Sequence, residues 1–176
     1  MKITGSISDI KNIQKQLKDY ENQLMHKINV LTIMLADLGI EVAKNNTGNF
    51  GHHIAFSMET EPSKYGCKVI VLAIDSSKIT SVWRTKEGLK SAQVSPLLMA
   101  EFGSGKFAQN PKNIEGVGRG TFPRQQHAWD DEGWYWQTLD GVWHHSYGIA
   151  PTMPMYKASI EIVKMVDEVA RFVFKE

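Results

Sequence analysis

One apolar stripe governs what this chain can become. Ile10, Ile13, Leu17, Tyr20, Leu24, Ile28, Leu31, Leu35, Leu38 and Val42 recur at spacings of three and four, which places them on a single helix face. Ser6-Ile7-Ser8-Asp9 supplies a start, with serine caps and an early acid beside the positive end of the helix dipole. Continued to about residue 44, the helix would run ~55 Å at ~1.5 Å per residue. A compact globule of this length has a diameter of only roughly 40 Å. Such a helix either bends, with Gly39 the place for it, or reaches beyond its own domain. Its first part is narrow, ringed by Lys11, Lys15, Lys18, Asp19 and Glu21, whereas Val30, Ile33 and Met34 add apolar faces further on. The pattern predicts a core helix entered through a projecting amphipathic arm, residues 1–27.

The following stretches have a different rhythm. Asn45-Asn46-Thr47-Gly48-Asn49 is a turn signal. Phe50 to Met58 alternates, with His52, Ile54, Phe56 and Met58 on one face, and Glu61-Pro62-Ser63 reads as a break. Cys67 to Ile74 is rich in valine and isoleucine, a buried type of strand that completes an antiparallel pair. Residues 79–84 are predicted as a further strand within an ambiguous stretch, 76–93. Ser95-Pro96 then opens a short helix, since serine caps and proline suits the first helical position, and Gly103 and Gly105 close it. Residues 106–128 carry Pro111, Gly116, Gly118, Gly120 and Pro123 with little periodicity, a long loop of a kind that is uncommon inside a compact domain. Trp129, Trp134, Tyr135, Trp136 and Trp143 follow, with Asp140-Gly141 as a hairpin turn. Thr152 and Pro154 start a last helix, with Met155, Ala158, Ile162, Met165, Val169 and Phe172 on its core face and Lys157/Glu161 and Lys164/Glu168 paired on the other. The fold class is α+β: a long N-terminal and a C-terminal helix on a small, mainly antiparallel sheet, in one domain over residues 1–176.

Twenty basic and nineteen acidic residues balance to a net charge of +1, which gives no electrostatic footprint of a nucleic-acid binder. A single cysteine, Cys67, excludes an intrachain disulfide and a cysteine-rich zinc site, and it reads as a small core residue. Met1-Lys2-Ile3-Thr4-Gly5 lacks the apolar core of a signal peptide, and the run from Val30 to Ala36 is far short of the ~20 residues of a membrane span. The expectation is a soluble intracellular protein without a membrane partner.

Few residues suggest chemistry. Gly103-Ser104-Gly105-Lys106 is followed by Phe107 where a phosphate loop needs a hydroxyl residue, so the glycines read as a turn. His52-His53 and His144-His145 are adjacent pairs, and neighbours on a strand point to opposite faces, so neither pair chelates from one strand. A metal-dependent hydrolase built on Glu101, His144 and His145 is the enzymatic alternative, without a supporting HExxH or His-x-His spacing. DNA contact through Lys106, Lys112, Arg119 and Arg124 of the long loop is the other. The aromatic cluster better fits a core or a protein interface.

Glu101-Phe102-Gly103-Ser104-Gly105 resembles the EFG[TS]G signature of small neck proteins of long-tailed bacteriophages, known as tail-completion, head–tail joining or minor tail proteins. That family typically continues with a variable loop, a WYW-like strand, an acidic residue with glycine, a tryptophan, and a G-x-x-P-x-x-M/F-x-x-A entry to the last helix. Here these stand as Trp134-Tyr135-Trp136, Asp140-Gly141, Trp143 and Gly148-Ile149-Ala150-Pro151-Thr152-Met153-Pro154-Met155-Tyr156-Lys157-Ala158. The resemblance covers residues 90–175 and the first half in outline; Ser104 stands where threonine is more usual. It implies a non-enzymatic, cofactor-free virion protein, located in the neck or tail region and in the host cytoplasm during assembly. Its partners would be copies of itself in a ring, the head connector, and tail tube or tail terminator proteins, with non-specific DNA contact in the channel. Glu101, Phe102, Gly103, Gly105, Trp134, Tyr135, Trp136, Trp143, Pro151 and Met155 are the motif residues it marks for assembly. A ring of head-to-tail contacts needs two different patches per subunit, expected on the first helix and on residues 95–145, with Glu101 and its glycines shaping a turn.

Overall fold

Helix α1 runs from Ile7 to Asn45 without a break, about 58 Å at ~1.5 Å per residue. The computed structural model describes residues 7–63, 66–85, 87–108 and 131–175; the cap at Ser6 and nearly all of the loop predicted over 106–128 lie outside them. Gly39 does not end the helix. It lets α3 (Pro154–Phe174) approach closely, because a Cβ at Gly39 would sit 2.5 Å from Ile162 Cδ1. Buried Ala36 and Ala43 flank it on α1, and buried Ala158 lies on α3. The two helices run antiparallel: Lys157 Nζ donates to Asn46 Oδ1 at 2.9 Å at one end, and Lys27 Nζ lies 5.8 Å from the Phe174 ring centre at the other.

The apolar stripe of α1 faces elsewhere. Strands β1 (Ile54–Ser63) and β2 (Gly66–Asp75) form an antiparallel hairpin whose β2 lies along α1, with Gly66 beside Ile28. Hairpin tip and α3 end therefore stop at the same level of α1, near Lys27 and Ile28. Strands β3 (Ile79–Thr85) and β4 (Gly88–Val94) make a second antiparallel hairpin, and β5 (Trp134–Gln137) and β6 (Trp143–Ser146) a third. Helix α2 (Pro96–Phe102) sits between the second and third hairpins in the chain, capped by the Ser95 hydroxyl, which accepts from Leu98 N at 3.2 Å, and by Asp75 Oδ1, which accepts from Leu97 N at 2.9 Å. The architecture is α+β, as the sequence predicts, with the sheet divided into three two-stranded pieces.

Several local expectations are corrected. Phe50 to His53 belong to a 3-10 segment, Gly48–His53, and the strand starts only at Ile54. That strand continues through Glu61-Pro62-Ser63, with Pro62 opposite Cys67; a proline needs no ladder partner on an edge strand. Strand β4 was hidden because its residues are exposed up to Val94 and so lack a period of two. On α3, Phe172 points away from the core at 68% exposure, while Val173 is half-buried. Lys164 pairs with Glu161 at 3.1 Å rather than with Glu168, and Lys157 reaches Asn46 rather than Glu161.

The buried set is unusual in its sizes. Among the described residues its apolar side chains are Ala36, Ala43, Ala100, Ala108, Ala158, Pro96, Pro154 and one large aliphatic, Ile54, beside the polar Thr47 and Ser104. Most large apolar side chains are half-buried or exposed, and the exposed ones gather on the arm of α1, the outer side of α3 and the β5–β6 hairpin. Scattered exposed apolar residues are normal, but contiguous apolar faces mark places where something else binds.

A candidate assembly site around Glu101

Glu101 caps a helix it does not belong to. Helix α3 begins with Pro154 after Met153, which is left-handed at φ 54° and offers no side-chain cap. Its first amides are met by the Glu101 carboxylate instead: Met155 N donates to Oε2 at 2.9 Å and Tyr156 N to Oε1 at 3.0 Å. A carboxylate at a helix N-terminus gains from the helix dipole and from two charge-assisted bonds. Ala100, one residue earlier, accepts through its carbonyl from Thr152 N at 2.8 Å and Met153 N at 3.0 Å.

The glycines complete the same joint. Gly103 and Gly105 have φ of 70° and 60°, and a Cβ on Gly103 would stand 2.6 Å from Ile149 O. Ser104 between them exchanges backbone bonds with Ile149, N to O at 2.9 Å one way and 3.3 Å the other, and its hydroxyl accepts from Ile149 N at 3.1 Å. Lys106 N donates to Tyr147 O at 3.1 Å. Residues 100–106 and 147–156 are thus laced together by backbone groups, with Gly148 at φ 104° pressed against the Ser104 carbonyl. The Trp134 ring crowds Gly105 from the same side as Tyr147 and Gly148, so a Cβ there would meet all three.

The Glu101 motif and the Gly148–Tyr156 stretch therefore meet, including Pro151, whose ring lies against Gly103, and Met155, held at its amide. Phe102 is half-buried at the end of α2. Gly103, Ser104 and Gly105 are buried in this joint, while Glu101 and Phe102 keep part of their surface exposed. Sequence reasoning missed Ser104, Gly148 and Met153, whose roles depend on a partner segment some forty-five residues away.

The outward part is the β5–β6 hairpin. Tyr135 stacks on His145 with centroids 4.2 Å apart, Tyr147 meets His145 edge-on at 4.4 Å, and Trp136 stacks on His144 at 4.7 Å. The Tyr135–His145 and Trp136–His144 contacts are cross-strand pairs in register, whereas Tyr147 is two residues along from His145 on the same side, so His144 and His145 lie on opposite faces. Tyr135 and Trp143 are largely exposed, with Leu139 and Val142 beside them at the turn. Asp140 in that turn accepts from the Thr138 hydroxyl, which holds its carboxyl below the usual value. Lys106 places its ammonium 4.2 Å from the Tyr147 ring centre; Lys112, Arg119, Arg124 and Trp129 lie outside the described residues.

The residues of the hydrolase alternative are placed as follows among the described residues. Both Glu101 oxygens accept helix amides, the two histidines diverge, and among the described residues no three His, Cys, Asp or Glu side chains converge as metal ligands. Glu101→Gln is expected to remain folded and to lose about 1–2 kcal/mol, since one of two acceptors and the charge are removed. Urea denaturation measures this, and a change below ~0.3 kcal/mol would show the cap to be idle. No helix among the described residues is long and apolar enough to cross a membrane. Comparisons with protein-family models, with curated proteins and with solved structures returned no match to this chain.

Proposed function

We propose that this protein is a non-enzymatic structural subunit of a phage virion neck, joining or completing the tail as part of a ring. The observation that carries the reading is the combination of a structural joint with unfinished surfaces. The residues that resemble the neck-protein signature form one joint, Glu101 with Met155 and Tyr156, and Ser104 with Ile149. Around it the chain leaves apolar faces open on α1, on α3 and on the aromatic hairpin. A subunit that completes its burial against neighbours has this distribution, because each ring contact needs two complementary patches and an axial neighbour needs a third. The arm of α1 supplies one self-contact. The β5–β6 hairpin, with Tyr135 and Trp143 outward, suits a connector or tail component, since tyrosine and tryptophan dominate protein contacts.

Light scattering across a concentration series tests this. A discrete ring, or a monomer that enters a ring on adding connector or tail-tube protein, is the expected result. A chain that stays monomeric and joins neither component overturns the proposal. The DNA-contacting alternative predicts salt-dependent DNA binding; none at low salt ends it.

A further inference from the structure

The tip of the β5–β6 hairpin, Asp140-Gly141, carries a chemical reactivity along with its turn geometry. Any aspartate carboxyl can fold back towards the amide nitrogen of the next residue, and a glycine there has no side chain to shield that nitrogen. In its protonated form the carboxyl is open to attack. A bond forms from Gly141 N to Asp140 Cγ, the Cγ–OH bond breaks, and the hydroxyl leaves as water with the amide proton. The cyclic imide then takes up water at either of its carbonyls, giving aspartate back or an isoaspartate linkage. Water is the only co-reactant, and both Asp140 and Gly141 are exposed.

The hairpin's own hydrogen bonds stand against this reaction. Gly141 N donates to Thr138 O at 3.0 Å, so the nitrogen that must attack has its proton engaged elsewhere. The Gly141 carbonyl accepts from Gln137 Nε2 at 2.7 Å, which fixes the same residue from its other end. The Asp140 carboxylate accepts from the Thr138 hydroxyl. That bond, followed by smaller contributions from the backbone amides of Asp140 and Val142 and from His144, holds the carboxyl below its usual value. It therefore stays ionised, the form that is not attacked. Thr138 N donates to Val142 O at 3.0 Å and closes the turn around the pair. Thr138 thus touches both reacting groups, the nitrogen through its carbonyl and the carboxyl through its hydroxyl.

We propose that Asp140 is a site of isoaspartate formation and that Thr138 governs its rate. Isomerisation adds a carbon to the main chain at the turn. The Gly141–Thr138 and Thr138–Val142 bonds then no longer close, and the Gln137–Trp143 pair beside the turn is the first part of the ladder to lose its register. Trp143 is 62% and Tyr135 69% exposed, and both lie on the Gln137 side of the hairpin. The modification therefore acts on the outward aromatic face, as a slow loss of its geometry. It does not depend on the ring-subunit reading, and either can fail alone.

The test incubates the full-length protein beside a peptide of residues 137–143 at mildly acidic pH and quantifies isoaspartate at Asp140 by peptide mapping and mass spectrometry. The folded chain should isomerise more slowly than the peptide by roughly fivefold or more, the rate equivalent of one ordinary hydrogen bond. Thr138→Val keeps the shape of the side chain and loses the hydroxyl, and it should speed the reaction by a similar factor. Thr138→Ser should behave as wild type. Asp140→Asn removes the titrating carboxyl but leaves the Gly141 bond, so it should deamidate more slowly in the folded chain than in the matching peptide. A wild-type chain that isomerises as fast as the peptide overturns the proposal. So does a Thr138→Val chain that forms no more isoaspartate than wild type, or a folded Asp140→Asn chain that deamidates at the peptide's rate. If near-UV circular dichroism shows that Thr138→Val has lost the tryptophan environment of the hairpin, the Asp140→Asn comparison decides.

Discussion

Gly148→Ala loses about 3–5 kcal/mol, a large share of the ~5–15 kcal/mol that holds a typical domain together. Its φ of 104° is a conformation that side chains rarely adopt, which alone costs of order 1–3 kcal/mol. The new methyl would also overlap the Ser104 carbonyl oxygen and stand 2.6 Å from Ser104 C and 2.8 Å from Gly105 Cα. These are backbone atoms, so no rotamer change relieves the clash. Segments 103–105 and 147–149 must part, and the paired bonds of Ser104 and Ile149 go with them, at about 1 kcal/mol each. Gly88→Ala is the control: φ there is 120°, but nothing stands within 4 Å of the added carbon. It should cost only the conformational part. Chemical denaturation of both variants decides the matter, and equal losses would mean that the joint between α2 and α3 contributes little.

Local signals were read well where burial follows a local period. The α1 stripe, the alternation of Ile54, Phe56 and Met58, the Ser95 cap and the Asp140-Gly141 turn all depend on neighbours within a few residues, and all are in the structure. Strand β4 escaped because exposure removes the alternation, and Phe50 to His53 read as strand only because His52 extends the alternation of Ile54, Phe56 and Met58 backwards, where the chain in fact turns with a period of three. Phe172 was placed on the core face by its spacing from Val169 and Met165, yet the helix ends there with Val173 turned inward instead. The candidate site was half legible. Glu101, Gly103 and Gly105 stood out as a unit, but a cap is ordinarily sought next to the helix it caps, and this one comes from 54 residues upstream. Only the fold brings Met153, which cannot cap α3, beside the carboxylate that does.

Deleting residues 1–20 is expected to leave the melting temperature nearly unchanged and to abolish self-association. Ile7, Ile10, Leu17 and Tyr20 are exposed on the arm, so within one chain their removal gives up little burial. The body that remains keeps the Gly39–Ile162 approach, the β1–β2 hairpin along Ile28, and the Glu101 joint, none of which involves the deleted residues. In an assembly the balance reverses. Each large apolar side chain moved from water into a contact contributes about 1.5–3 kcal/mol, and the arm has several on one seam. Part of that gain offsets the freedom lost on association, so the deletion should weaken the contact by at least about a hundredfold, or ~3 kcal/mol. Thermal denaturation and light scattering on the same preparation separate the two effects. If the truncated chain melts far lower, the arm folds back on its own body and the exposed seam is not a docking surface. If it still assembles, the self-contact lies in the aromatic hairpin, where Tyr135 and Trp143 would become the residues to change.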